Sequence, residues 1–300
     1  MLRSPLPALN DPEGKRVPLG LPPVVDAHVH VFPDELFASI RHWFDLYGWP
    51  IRYRLKAGDV APFLLNRGVE GVVALCYAHR PGVARGLNRF MASVARKDPR
   101  IIALGTVFPG EEGAAGILEE AFSAGLRGVK LHAHVQGMPV DAPSIHEVAE
   151  LCALHGKPLV YHAGREPRSP AYVCDPHEIC SADRVERLLR AHPGLRLCVP
   201  HLGMDEFEAY RRLTERYDHL WLDTTMVLAG YLPGAVSPSL AAMRTDRILY
   251  GTDFPNIPYA WDRELGRLIR SGLPDRDLAL VLGENARRLF SMDSTPSGSA

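Results

Sequence analysis

Two histidines one residue apart, His28 and His30, are the first residues whose types and spacing invite chemistry. They lie in Val24-Val25-Asp26-Ala27-His28-Val29-His30, just after Pro22-Pro23. Apolar and polar residues alternate there, which is the period of a β-strand. That period places Asp26, His28 and His30 on one face and Val25, Ala27 and Val29 on the other. Two neutral imidazoles converging on one point suit a zinc-like ion. The plain alternative is a strand with two solvent-facing histidines, and His-x-His alone does not decide.

Further polar groups stand where apolar runs end. Lys130 and His132 close LRGVKLH, His162 closes PLVYH, His201 closes LRLCVPH, and Asp253 follows RILYG. Something must bring these distant positions together. The chain has 300 residues, 46% hydrophobic and 23% charged, which fits a soluble domain of the α/β barrel size. Strand-like runs at 24–30, 71–77, 101–107, 126–132, 158–162, 195–201, 220–224 and 247–251 alternate with helical segments. The helices are expected at 82–97, 113–124, 144–155, 182–191, 205–217, 240–244, 259–270, 274–282 and 284–290. Eight apolar runs, each followed by a helix, predict a (β/α)8 TIM barrel with parallel strands buried on both faces. A doubly wound open sheet is the rival, but no Gly-x-Gly-x-x-Gly follows the first run. In a barrel, groups at the carboxyl ends of strands ring one mouth.

Around this barrel, expected over 22–290, the sequence suggests an arm at 1–21 and a flexible tail at 291–300. The arm is broken by Pro5, Pro7, Pro12 and Pro18, and reads as neither a signal peptide nor a membrane span. Residues 31–68 form a long connection rich in aromatic residues, with a helix expected over 33–47. Such an insert either lids a site or packs a subsidiary core. The net charge of −1 gives no electrostatic case for nucleic acid or an anionic membrane. Five cysteines without a Cys-x-x-Cys pair read as reduced thiols of a cytoplasmic protein.

His-x-His, Gly-Val-Lys130-Leu-His132, His162-Ala-Gly, Pro-His201-Leu-Gly and Gly-Thr-Asp253-Phe-Pro occur in that order. As a set they resemble the metal-dependent amidohydrolase superfamily. The pattern is similar to its amidohydrolase 2 branch, which includes aminocarboxymuconate semialdehyde decarboxylase and other non-oxidative decarboxylases. Gly283-Glu284-Asn285-Ala286 adds to the likeness. The resemblance implies His28, His30, His162 and Asp253 as ligands of one divalent ion, most simply Zn²⁺. It implies His201 as acid, base or carbonyl polariser, with Asp253 also moving a proton. Three imidazoles and a carboxylate suit that ion. In some members a carboxylated lysine bridges two metals. Here Lys130 is expected to stay an unmodified cation facing a substrate anion.

His132 and Arg165 are further candidates for substrate contact, and Asp223 for orienting a histidine. His134, two residues beyond His132, faces substrate or solvent. His79 and the remaining loop and helix histidines are expected to be without function. The first reading is a hydrolase of a small amide, ester or lactone that carries an anionic group. The second is a decarboxylase of a small unsaturated or aromatic acid, using the same ligands. A non-catalytic binding barrel is the third, and the complete ligand set argues against it. The partner is a small molecule; a homodimer is compatible with the arm and the insert.

Overall fold

Short runs of Val, Ile, Leu and Ala, apolar on both faces, become eight parallel strands. In the computed structural model, residues 8–166, 168–230 and 239–292 are described. The expected arm and tail lie partly outside them, at 1–7 and 293–300. Element order is β1 (Val25–His30), α1 (Asp34–Tyr47), α2 (Ala57–Leu65), β2 (Gly71–Leu75), α3 (Ala84–Ala95), β3 (Ile101–Ala103) and α4 (Ala114–Ser123). There follow β4 (Val129–His132), α5 (Ala133–Gln136), α6 (Pro143–Leu154), β5 (Leu159–His162), α7 (Pro176–Ile179) and α8 (Ala182–Ala191). The chain then runs through β6 (Leu197–Val199), α9 (Phe207–Arg216), β7 (Leu220–Asp223), β8 (Ile248–Leu249), α10 (Arg263–Ile269), α11 (Asp275–Ala279) and α12 (Asn285–Phe290).

The strands pair in sequence order, β1 to β3 and β4 to β8. Two seams close the ring. Gly105 pairs with Val129 just past β3, and Val29 pairs with Phe254 beyond β8. At the second seam the Ala27 N–H donates to the Tyr250 carbonyl at 2.9 Å. The closed ring is the expected (β/α)8 barrel.

Alternation sorts the strand side chains into two apolar layers. Val73, Leu75, Val160 and Leu249 pack inside the ring. Val72, Ala74, Leu159 and Ile248 pack outward against the helices. The helices supply the matching stripe. In α8, Val185, Leu188 and Leu189 are buried, and Ser181 caps the helix by accepting the Arg184 N–H. The α12 residues Ala286, Leu289 and Phe290 join the inner layer and plug one end of the ring. Asn285 pins that helix, donating to the carbonyls of Thr245 and Ile248, both at 2.8 Å.

Three expectations need correction. The face shared by Asp26, His28 and His30 does not exist as such. Asp26 pairs with Val72 but Val29 pairs with Ala74, so β1 carries one extra residue. This bulge reverses the phase: Val25 and Ala27 belong to the inner layer and Val29 to the outer one. Asp26 instead accepts the Thr252 hydroxyl at 2.6 Å. Second, the connection at 31–68 contains α2 as well as α1. Gly58 and Pro62 mask its period in the sequence, yet Val60, Ala61, Leu64 and Leu65 are buried. Third, the expected break between the last two helices is a single widened π turn, Leu280–Glu284. Gly283 is needed there because a Cβ would fall 2.3 Å from the Pro23 carbonyl oxygen.

Candidate active site

Asp223, at the end of β7, fixes two histidines at once. One carboxylate oxygen accepts the His28 Nδ1–H at 2.8 Å. The other accepts the backbone N–H groups of His201, at 3.0 Å, and Thr225, at 3.2 Å. Burial works against the charge on Asp223, but the His28 ring beside it holds the carboxyl well below the usual range. Burial, with the Lys130 ammonium adding to it, lowers the His28 pKa to about 4, so the ring is neutral. The Nδ1–H is committed to Asp223, and the Nε2 lone pair faces the barrel mouth.

That lone pair lies 3.4 Å from Lys130 Nζ and 3.4 Å from Asp253 Oδ1. His30 Nε2 lies 2.9 Å from the same Asp253 oxygen. His28, His30 and Asp253 thus present three donor atoms within 4.8 Å of one another, all from buried residues. Asp253 reaches this position through a left-handed backbone, φ +70°. Its N–H donates to the His28 carbonyl at 3.0 Å, which locks the turn against β1. Gly251 permits the close approach, since a Cβ there would fall 2.8 Å from that of His28.

The fit to a divalent ion rests on this donor chemistry. His28 aims a neutral nitrogen lone pair at a cation, the Lys130 ammonium, and its other nitrogen is held by a carboxylate. A carboxylate–histidine pair is the usual outer support of a metal ligand. His28, His30 and Asp253 would hold the ion. Asp223→Asn places an amide where His28 needs an acceptor. It should weaken metal affinity roughly 10–100-fold, as read by competition with a chromophoric chelator. Unchanged affinity would reduce Asp223 to a structural residue.

Lys130 is fully buried on β4, and burial lowers its pKa to about 8, opposed by Asp223 and Asp253. His201 follows β6 and adopts φ +57°. Its Nδ1–H donates to the Thr225 carbonyl at 2.9 Å, leaving the Nε2 lone pair free to exchange a proton. Its ring centroid lies 5.9 Å from that of His28 and 4.7 Å from that of His162.

His162, which the resemblance implies as a further ligand, also has a carboxylate of its own nearby. It groups with His134 and Glu166, not with His28, His30 and Asp253. Its Nε2 lies 2.6 Å from Glu166 Oε1, and its ring stacks on His132 with centroids 4.1 Å apart. Glu166 went unnoticed in the sequence; it lies in an irregular loop, and its only trace is the four-residue offset from His162. Arg165 is turned to other partners, donating to the Cys180 carbonyl at 3.0 Å and lying 3.4 Å from Glu206.

A cavity of about 360 Å³ adjoins both groups. Phe32 and Tyr77 line it and contact the His30 ring. His132 and His134 line it on the other side and contact His162. The aromatic residues of α1 form its outer wall, with Trp43 meeting Tyr172 at 5.6 Å between ring centroids. His79, for which the sequence suggested no role, also lines it. Among the described lining residues there is no Lys, Arg, Asp or Glu.

A family model described as Amidohydrolase matches residues 25–292. No curated protein matches the chain. Solved structures with the same fold include 5-carboxyvanillate decarboxylase from Sphingomonas paucimobilis, 18% identical, TM-score 0.66, covering 90% of this chain and 99% of that one. The enzyme of that name from Novosphingobium aromaticivorans, complexed with manganese, is 16% identical with TM-score 0.64, covering 93% and 99%. A putative 2-pyrone-4,6-dicarboxylic acid hydrolase from Pseudomonas putida is 20% identical with TM-score 0.62, covering 92% and 100%.

Proposed function

Because this chain belongs to the amidohydrolase family, we propose that it is a metal-dependent enzyme that decarboxylates a small, flat, largely apolar carboxylic acid. The lining of the cavity carries this reading. Its aromatic walls suit a planar body, and among its described residues no cationic side chain awaits a remote anionic group. The one place for a carboxylate is therefore the metal end, beside Lys130. Structural relatives named as decarboxylases of aromatic acids support the same choice.

A divalent ion, zinc in the simplest case, supplies fixed positive charge that neutralises a carboxylate or polarises a carbonyl. The chain's own residues do the rest. Phe32, Tyr77 and Trp43 hold the planar body and exclude water. Lys130, kept unmodified, adds positive charge where the substrate's carboxylate lies. His201 takes a proton from solvent on Nε2 and passes it to the carbon that bears the carboxylate. The carbon–carbon bond then breaks, its electron pair stays with the planar body, and carbon dioxide leaves.

Hydrolysis of a neutral ester, amide or lactone is the second reading. It is favoured by the position of Asp253, whose carboxylate lies at the metal end beside His28 and His30, where a base for water would be needed. The metal-loaded chain should release carbon dioxide from an aromatic or conjugated monocarboxylic acid, and lose that activity on chelation. Cleavage of neutral lactones without carbon dioxide release would move the assignment to hydrolysis. Turnover of neither class would leave a binding barrel.

A further inference from the structure

We propose that the Tyr77 hydroxyl binds the substrate's carboxylate, donating a hydrogen bond to the oxygen that faces the cavity. The inference rests on the reading above, that the cavity takes a flat carboxylic acid with its carboxylate at the metal end.

Three hydroxyls stand on the described lining of the cavity, those of Ser39, Tyr77 and Tyr172. Two are committed. Ser39 Oγ donates to the Glu35 carbonyl at 3.3 Å, and the Tyr172 hydroxyl donates to Glu166 at 2.8 Å. The Tyr77 hydroxyl has no hydrogen-bond partner among the described residues. A few polar groups on an otherwise apolar wall are what orient a ligand.

The place of Tyr77 says which end of the ligand it meets. It lies two residues beyond β2, at the mouth of the barrel. Its ring meets His30 edge-on, with centroids 5.9 Å apart, and His132 at 4.9 Å. Phe32 closes a third side at 5.1 Å. The ring thus stands between a residue that would hold the ion and the aromatic walls. Held by three other rings, it loses little freedom when its hydroxyl engages a ligand.

The chemistry of the guest completes the argument. A carboxylate has two oxygens and about four lone-pair sites. An ion and the Lys130 ammonium leave some of them unmet, and burying these beside Phe32 and Trp43 without a donor costs free energy. Tyr77 supplies that donor without adding charge. The carboxylate is still intact when His201 protonates the carbon, so the bond is made before and during that step alike. It tightens binding and does not speed the step. For an acid that the chain turns over, Tyr77→Phe should therefore raise KM, and kcat should not fall.

The test uses the full chain loaded with zinc. The probes are benzoate and toluene, one ring with and without a carboxylate, with affinities read by ligand-observed NMR. Tyr77→Phe keeps the ring and removes only the hydroxyl. It should weaken benzoate roughly 10-fold or more, the range for a hydrogen bond to a charged group. Toluene affinity and the metal count should stay the same. Crystals of the loaded wild-type chain with benzoate should show a carboxylate oxygen about 2.5–3.0 Å from Tyr77 Oη, a readout that needs no variant to fold. Equal benzoate affinity in the two chains, an equal loss for both probes, a carboxylate seated away from Tyr77, or no benzoate binding would each overturn the proposal. The expected binding results without carbon dioxide release from any acid would defeat the decarboxylase reading and leave this role of Tyr77 standing.

Discussion

Replacing His28 and His30 together by alanine removes the ion held with Asp253 and takes turnover to background, while the barrel stays folded. Both rings point into the mouth and not into the apolar layers that hold the barrel together. Their removal deletes two of three donors, and one carboxylate alone retains a divalent ion poorly. The cost in stability is local. Asp223 loses its contact with His28 but keeps the N–H groups of His201 and Thr225. Losing one hydrogen bond to a charged group costs about 1.5–3 kcal/mol. A cooperative unfolding transition at lower denaturant, with the metal count reduced by one, is the expected result. An undiminished count in the folded double variant would exclude this site.

His201→Asn lowers kcat by roughly 10²–10⁴, the range for a group that moves a proton in the transition state. The metal count stays the same. Asparagine is the right replacement because His201 has φ +57°, and asparagine tolerates that left-handed backbone better than most residues. Its N–H can still bond Asp223, so the turn that follows β6 survives. What disappears is the ring nitrogen Nε2, the atom that would carry the proton. Loss of metal in step with activity would make His201 a ligand.

Much of this could be read from residue order. Apolar runs mark the eight strands because both faces of each are buried. His30, Lys130, His132, His162 and Asp223 stand within or at the ends of strands, where alternation is visible. The strand limits proved less legible. β3 stops at Ala103 and β8 holds only two residues, since pairing and not hydropathy decides where a strand ends. The bulge in β1 left no mark, because an extra residue changes phase without changing composition. Glu166 was hidden for a related reason: loops have no period, so nothing in the sequence says which loop side chain turns inward. α2 was obscured by Gly58 and Pro62, whose breaking tendency is overridden by the burial of its apolar face.

The seam between β1 and the turn after β8 sets a schedule for synthesis. Asp26 and Thr252, joined there by a hydrogen bond, are 226 residues apart in the chain. A ribosome adding about 5–20 residues per second needs on the order of 10–45 s to cover that distance. Throughout that interval the imidazoles of β1 are exposed without their carboxylate, able to catch a stray ion but not to enclose it. Any divalent ion that the site takes is therefore enclosed late, after the ring has closed. A nascent chain stalled before Asp253 should carry only a loosely held metal.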